Sequence, residues 1–254
     1  MKYIALVTGA SSGIGREFVL QIASSYSSLD EIWVLARREA ALQQLEKEVQ
    51  EKQLRIFPLD LSKKENLEEL ETALAKEKPC IRILVNSAGC GRGGTIESQD
   101  WRDACHMLDV NCRALTVVTM LCLPYLKRRS RIIQVDSGSA FLPQPGFGIY
   151  AASKSYVLSF DRALGVELRK KGISVTSVCP GPVDTEFFRA GGITLNLLKR
   201  MFLVKPGKVV RKALFDAEAG KALSIYGISV KAVRFLGKLL PHEFLLGLMG
   251  RLLL

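Results

Sequence analysis

The chain has 254 residues, 48% of them hydrophobic and 24% charged, the balance of one soluble domain large enough to bury a full core, which excludes a disordered polyelectrolyte. Its net charge of +11 is uneven: from residue 199 onward eleven Lys/Arg face only Asp216, Glu218 and Glu243, a bias that suits either an anionic partner or a solvated face. Six cysteines without a C-x-x-C spacing and two lone histidines, His106 and His242, argue against a zinc site, a disulfide framework and a metal mechanism, and predict reduced, mostly buried thiols.

The apolar run Lys2–Thr8 is of strand length and far short of a signal-peptide core, so a cytoplasmic location is expected. It leads into Gly9-Ala-Ser-Ser-Gly13-Ile-Gly15 and then the helical pattern Arg16–Ala23. Glu31–Ala36 reads as a second strand, Ala40–Lys52 as a helix with Leu42, Leu45 and Val49 on one face, and Arg55–Leu59 as a third strand. A polar helix near Lys64–Lys76, a strand at Ile81–Val85 and a long helix from about Asp100 to Lys127 follow. Arg131–Val135 is the fifth strand, Ile149–Lys171 a helix ended by Gly172, Ile173–Val178 the sixth strand, and Leu223–Tyr226 a seventh. This alternation predicts an α/β protein: a Rossmann-type, doubly wound parallel sheet of about seven strands with helices on both faces. No linker divides it, so the reading is one domain over residues 1–228 and an amphipathic extension over 229–254.

Gly9, Gly13 and Gly15 permit a tight turn and a close approach of the next helix's N–H groups to a pyrophosphate; a turn that merely joins strand to helix is the plainer alternative. The string Thr8-Gly-Ala-Ser-Ser-Gly-Ile-Gly15 resembles the T-G-x-x-x-G-x-G turn of the short-chain dehydrogenase/reductase family. Further motifs in the family's order, extending to Thr185, strengthen the resemblance. It implies a dinucleotide held by Gly9, Ser11, Ser12, Gly13, Ile14 and Gly15. Where an acidic residue after the second strand would select NAD, the chain has Ala36-Arg37-Arg38, so NADP(H) is expected. Arg37 would pair with the 2′-phosphate, assisted by Ser12 and Arg38, unless both arginines are simply solvated at a helix start. Asp60-Leu61 is similar to the family's adenine-contacting pair, although Asp60 also suits a helix cap. Asn86-Ser-Ala88-Gly89 resembles the family's N-S-A-G element, whose asparagine ties neighbouring strands and whose small residues let the cofactor pass. Pro180-Gly181-Pro-Val183-Asp-Thr185 matches P-G-x-V-x-T, which implies that Val183 and Thr185 orient the nicotinamide.

Reducing a ketone requires a proton donor within hydrogen-bonding reach of the developing alkoxide. Tyr150 and Lys154, four apart on a predicted helix, share a face, so the ammonium is expected to lower the phenol's pKa. By resemblance, Ser137 holds the substrate oxygen, with Ser139 as a nearby competitor, and Asn111 completes an Asn-Ser-Tyr-Lys tetrad. The implied reaction interconverts a ketone and a secondary alcohol; a non-catalytic NADP(H) sensor or membrane-associated scaffold of the same fold is the alternative.

Residues 184–206 fall in the family's variable substrate loop and carry Phe187, Phe188, Ile193, Leu195, Leu197, Leu198, Met201 and Phe202. With Phe141, Leu142 and Phe147 they predict a lipophilic carbonyl or alcohol substrate such as a steroid or fatty acyl chain, or else a lid with its own small core. In the extension, Lys231, Arg234 and Lys238 line one helical face and Ala232, Phe235, Leu236 and Leu239 another. Intramolecular or dimer packing, peripheral membrane contact and a cover over the pocket remain open for it. Nucleic acid is not expected, because no stacking aromatics interleave with the charge. The resemblance also implies a homodimer or homotetramer assembled through the two long helices.

Overall fold

The computed structural model describes residues 2–193, 202–241 and 243–247. Seven strands form one parallel sheet: β1 (Tyr3–Thr8), β2 (Glu31–Leu35), β3 (Gln53–Phe57), β4 (Cys80–Asn86), β5 (Leu126–Val135), β6 (Ser174–Pro180) and β7 (Leu223–Tyr226), in the order β3-β2-β1-β4-β5-β6-β7. The helices are α1 (Gly13–Ser25), α2 (Glu39–Glu48), α3 (Lys64–Glu77), α4 (Trp101–Leu108), α5 (Leu115–Cys122), α6 (Gly148–Arg169), α7 (Phe187–Ala190), α8 (Pro206–Glu218) and α9 (Ile228–Leu239). Side chains alternate across a strand, and β1 shows what that does here. Ala5 and Val7 join Phe18, Val19 and Ile22 of α1 and Val209, Val210 and Ala213 of α8. Ile4 and Leu6 join Leu67, Leu70 and Leu74 of α3, Val118 of α5, and Leu164 and Leu168 of α6. Both faces of the sheet are covered, which is why its strands read as unbroken apolar runs.

Several expected boundaries shift. Helix α2 stops at Glu48 because Val49 is already extended (φ −93°, ψ 106°), and β3 starts at Gln53. Asp100 caps α4, its carboxylate accepting from the Arg102 amide at 2.8 Å. The helical run it opens ends at Tyr125 in a 3-10 turn containing Pro124. Lys127 therefore belongs to β5, whose irregular start includes Arg129 at φ 70°. Between α4 and α5 the helix widens into a π-helical turn over Asp109–Ala114. The run Trp101–Tyr125 is long and apolar enough to cross a membrane by composition, but Leu115, Val118 and Cys122 are buried, as in a helix packed on a sheet. The cysteines depart from expectation: Cys80, Cys122 and Cys179 are buried, Cys90 and Cys112 half-buried and Cys105 exposed, all six as free thiols.

Candidate active site

The strand order reverses between β1 and β4, leaving a crevice beyond their carboxyl ends, where open α/β sheets take their ligands. Thr8, the last residue of β1, fixes the crevice: its Oγ1 accepts from the backbone N–H of Ser87 at 3.0 Å and of Ala88 at 3.1 Å. The glycine turn then runs through spaces that side chains would fill. A Cβ on Gly9 (φ +67°) would lie 2.7 Å from the Ala88 nitrogen, one on Gly13 (φ +55°) 3.0 Å from Thr185 Cγ2, and one on Gly15 2.3 Å from the Gly9 carbonyl oxygen. Ser12 opens α1 but gives it no side-chain cap, so the first-turn N–H groups remain available to an anion. This cradle fits the pyrophosphate of a dinucleotide. Gly15→Ala is expected to cost about 3 kcal/mol in stability and to abolish dinucleotide binding; thermal unfolding and fluorescence titrations with NADH and NADPH check it, and wild-type values in both would refute the packing argument.

Arg37 and Arg38 are both exposed beyond β2. Arg38 is held, pairing with Glu186 at 2.9 Å and donating to the Ser11 carbonyl and hydroxyl at 3.4 Å, whereas Arg37 makes no ion pair among the described residues. Asp60 does not cap α3, whose N-cap is Lys63. Its Oδ1 accepts from the Ser62 amide and hydroxyl at 3.0 and 2.7 Å; burial raises its pKa, but these bonds together with the charges of Arg37 and His106 hold it below the usual value. Leu61 is buried in the core on the α3 side of the sheet, whereas Ile14 packs against the core on the α1 side. Asn86 ties its strand to a helix rather than to another strand, Nδ2 donating to Thr119 Oγ1 of α5 at 2.9 Å. The loop after β6 returns to the glycine turn: Gly181 N donates to the Tyr226 carbonyl at 3.3 Å, beyond Pro180, Val183 is buried beside Val204, and Thr185 faces Gly13.

Ser137, Tyr150 and Lys154 converge beside this crevice. Lys154 is buried on α6 and donates to the Val135 carbonyl at 2.8 Å, its Nζ 5.8 Å from the Tyr150 ring centroid. Asn111 sits in the π-helical turn, a feature that often marks functional positions in helices. Its Oδ1 accepts from Cys90 N at 2.9 Å, and its Nδ2 donates to the Cys90 carbonyl at 2.9 Å and to Ser153 Oγ at 3.0 Å. Gly89 leaves room there, since a Cβ would lie 3.2 Å from Asn111 Oδ1 and 3.7 Å from Lys154 Nζ. The expected lowering of the phenol's pKa by lysine is not what this arrangement gives: burial pushes Tyr150 well above its usual value, and the Ser137 hydroxyl only partly opposes this. Burial also lowers Lys154, against the attraction of Asp136. Ser137 Oγ accepts from the Ser139 amide at 3.1 Å, while Ser139 donates to Gln144 Oε1 at 3.3 Å, so the competitor's hydroxyl is engaged away from the phenol.

The aromatic residues divide. Phe147 stacks on Tyr150 with centroids 4.3 Å apart, and Phe187 lies 5.4 Å from it and 5.5 Å from Phe188. Gly91 lets them close in: a Cβ there would meet Phe187 at 2.5 Å and Tyr150 at 3.1 Å. Phe141 and Leu142, expected in the same pocket, are seated elsewhere. Phe141 packs with Val230 and Ile225 under the Arg234 guanidinium, and Leu142 is buried where Gly237 of α9 would otherwise carry a side chain. Leu195, Leu197, Leu198 and Met201, like His242 and Arg251, lie outside the described residues.

Two carboxyl groups escaped the sequence reading, in which Thr8 opened the glycine motif but was given no role of its own. Asp136 and Asp161 are both buried on the α6 side of the sheet. Ser177 donates to Asp161 Oδ2 at 2.7 Å and Cys179 Sγ lies 3.8 Å from Asp136 Oδ2. Burial raises Asp136 well above its usual value, against Lys154, and pushes Asp161 up to about 7, against Ser177 and Lys154. The signal was present in Gln134-Val-Asp136, where polar residues interrupt the alternate, α6-facing positions of β5.

A glycine cradle at the switch point of a doubly wound sheet, with a hydroxyl, a phenol and an ammonium gathered at its edge, belongs to the nucleotide-dependent oxidoreductases. The chain is a member of the short chain dehydrogenase family, whose model matches residues 3–192. An uncharacterized oxidoreductase of Staphylococcus epidermidis is 32% identical over 184 residues, covering 72% of this chain and 78% of its own. An 11-beta-hydroxysteroid dehydrogenase of Pinus massoniana is 30% identical over 196 residues, covering 75% of this chain and 54% of its own. Among solved structures, a short-chain dehydrogenase from Sphingobium yanoikuyae in complex with NADPH is similar at TM-score 0.80 and 25% identity, covering 97% of this chain and 96% of its own.

Proposed function

We propose that the protein is an NADP(H)-dependent oxidoreductase that interconverts a ketone and a secondary alcohol on a lipophilic substrate. The observation that carries this reading is the Tyr150 phenol, buried under Phe147 and Phe187 beside Lys154. When bound, NADP(H) supplies or accepts the hydride. Tyr150 gives its proton to the substrate oxygen in reduction and takes it back in oxidation. Ser137 Oγ would hold the substrate oxygen, Lys154 would help hold the cofactor beside Tyr150, and Asn111 fixes the Cys90 backbone and Ser153 next to them. Phe147, Phe187 and Phe188 exclude water and favour an apolar body next to the carbonyl.

Absorbance assays of NADPH consumption against steroid ketones, long-chain 3-ketoacyl esters and small polar ketones, run beside NADH, test the reading. Turnover with NADPH that favours lipophilic over small polar ketones is the expected result; turnover of polar ketones alone, or of none despite NADPH binding, would overturn it. Arg37, exposed and unpaired among the described residues, is assigned to the 2′-phosphate, with Ser12 and Arg38 beside it. Arg37→Ala is expected to raise KM for NADPH about ten- to hundredfold, the worth of a charged hydrogen bond, and to leave KM for NADH unchanged. If only the equivalent Arg38 variant does so, the assignment passes to Arg38.

The same reading takes residues 1–228 as the catalytic domain and 229–254 as an extension, in the cytoplasm, where six free thiols are stable. Exposed Leu108, Met120, Tyr156 and Val166 on α4, α5 and α6 support a homodimer or homotetramer formed through those helices.

A further inference from the structure

Helix α9 is amphipathic in the opposite sense to a core helix. Its small residues face the protein: Val230 is buried against the positions of Gly138 and Gly181, and Gly237 leaves room for Leu142. Its large apolar residues face out. Ile228, Phe235 and Leu239 are 86%, 63% and 63% exposed, Leu236 is 42% exposed, and Phe244 beyond the helix is 63% exposed. Ile228, Ala232, Phe235 and Leu239 stand at i, i+4, i+7 and i+11, a single stripe along the helix. Lys231 and Lys238, seven apart, line one edge of that stripe. Neither they nor Arg234 makes an ion pair among the described residues, and α9 itself carries no acidic residue.

We propose that the outward stripe of α9 docks the protein on an anionic lipid surface, with Ile228, Phe235, Leu239 and Phe244 entering the headgroup boundary and Lys231 and Lys238 pairing with lipid phosphates. The charge distribution favours lipid over a second copy of the chain. A two-fold contact through this stripe would bring the lysines of both copies into one apolar patch, whereas acidic headgroups neutralise them. The inner face of the same helix packs on the segment Gly138–Leu142, which follows Ser137, so docking would bring the substrate site close to the membrane. That link to catalysis rests on the lipophilic-substrate reading; the docking does not.

The test is flotation of the full-length protein with vesicles of equal parts phosphatidylglycerol and phosphatidylcholine, beside vesicles of phosphatidylcholine alone, at low and high salt. Binding to the anionic vesicles, weakened by salt, is expected. Phe235→Ser and Leu239→Ser should each weaken it about tenfold, and Lys231→Gln and Lys238→Gln about fivefold each. These side chains are exposed, so the unfolding temperature should stay at the wild-type value, and turnover of a detergent-free, water-soluble ketone without vesicles should be unchanged. That turnover reads the catalytic proposal separately. Absence of flotation, or flotation indifferent to all four variants, overturns the docking. So does a wild-type oligomer that Phe235→Ser and Leu239→Ser split while no variant changes lipid binding, which would assign the stripe to a second copy.

Discussion

Tyr150→Phe is expected to lower kcat for carbonyl reduction about 10²- to 10⁴-fold, the usual worth of a positioned proton donor, with little change in KM for NADPH. The substitution removes one oxygen and keeps the ring, so the stack on Phe147 and the contact with Phe187 survive and the unfolding temperature should be that of the wild type. The glycine cradle is built from Thr8, Gly9, Gly13 and Gly15 and does not depend on the phenol, which is why cofactor affinity separates from turnover here. Steady-state rates on whichever ketone the wild type reduces, with NADPH titrated by fluorescence, give both quantities. A variant within tenfold of wild type would mean that another group delivers the proton.

Asp161→Asn is expected to change how stability depends on pH. A carboxyl whose folded pKa of about 7 lies above its usual 3.8 binds its proton more tightly when folded. Stability is therefore full below about pH 4, falls as pH rises toward 7, and is level above that. The loss approaches about 4 kcal/mol for a shift of this size. Asparagine cannot ionise; it still accepts from Ser177, and its amide supplies a donor beside the Gln134 side chain, whose Oε1 is buried without a partner among the described residues. The variant should thus unfold at a higher temperature than wild type at pH 8 and differ little below about pH 4. Equal pH dependence in the two proteins would show that Asp161 keeps an ordinary pKa in the fold.

How far the sequence carries can be seen in β1 and α6. The run from Tyr3 to Gly15 is legible because one constraint governs each part: a strand buried on both faces must be apolar throughout, and the turn beyond it must be glycine wherever backbone comes within contact distance. Tyr150 and Lys154 are legible for the same reason, a helical spacing that leaves few arrangements. What stayed hidden depends on partners distant in the chain. Phe141 and Leu142 look like pocket residues beside Ser137, but α9, nearly a hundred residues later, offers them a small-residue face and takes them away. Arg38 looks as free as Arg37 until Glu186 comes alongside. The phenol's acidity was misjudged because spacing places a lysine nearby and says nothing of how completely the ring is removed from water.

The rings around Tyr150 bear on selection among substrates before any chemistry begins. On the proposed reading, a carbonyl compound approaching the phenol meets Phe147 stacked on one side and Phe187 tilted over another, and displacing an aromatic contact of that kind costs about 0.5–1.5 kcal/mol. A hydrocarbon body replaces what is lost by covering the same ring faces. A small polar ketone replaces nothing and starts at a disadvantage of up to about tenfold. The short helix that carries Phe187 thus acts as a toll levied on molecular shape, separate from the groups that move the proton.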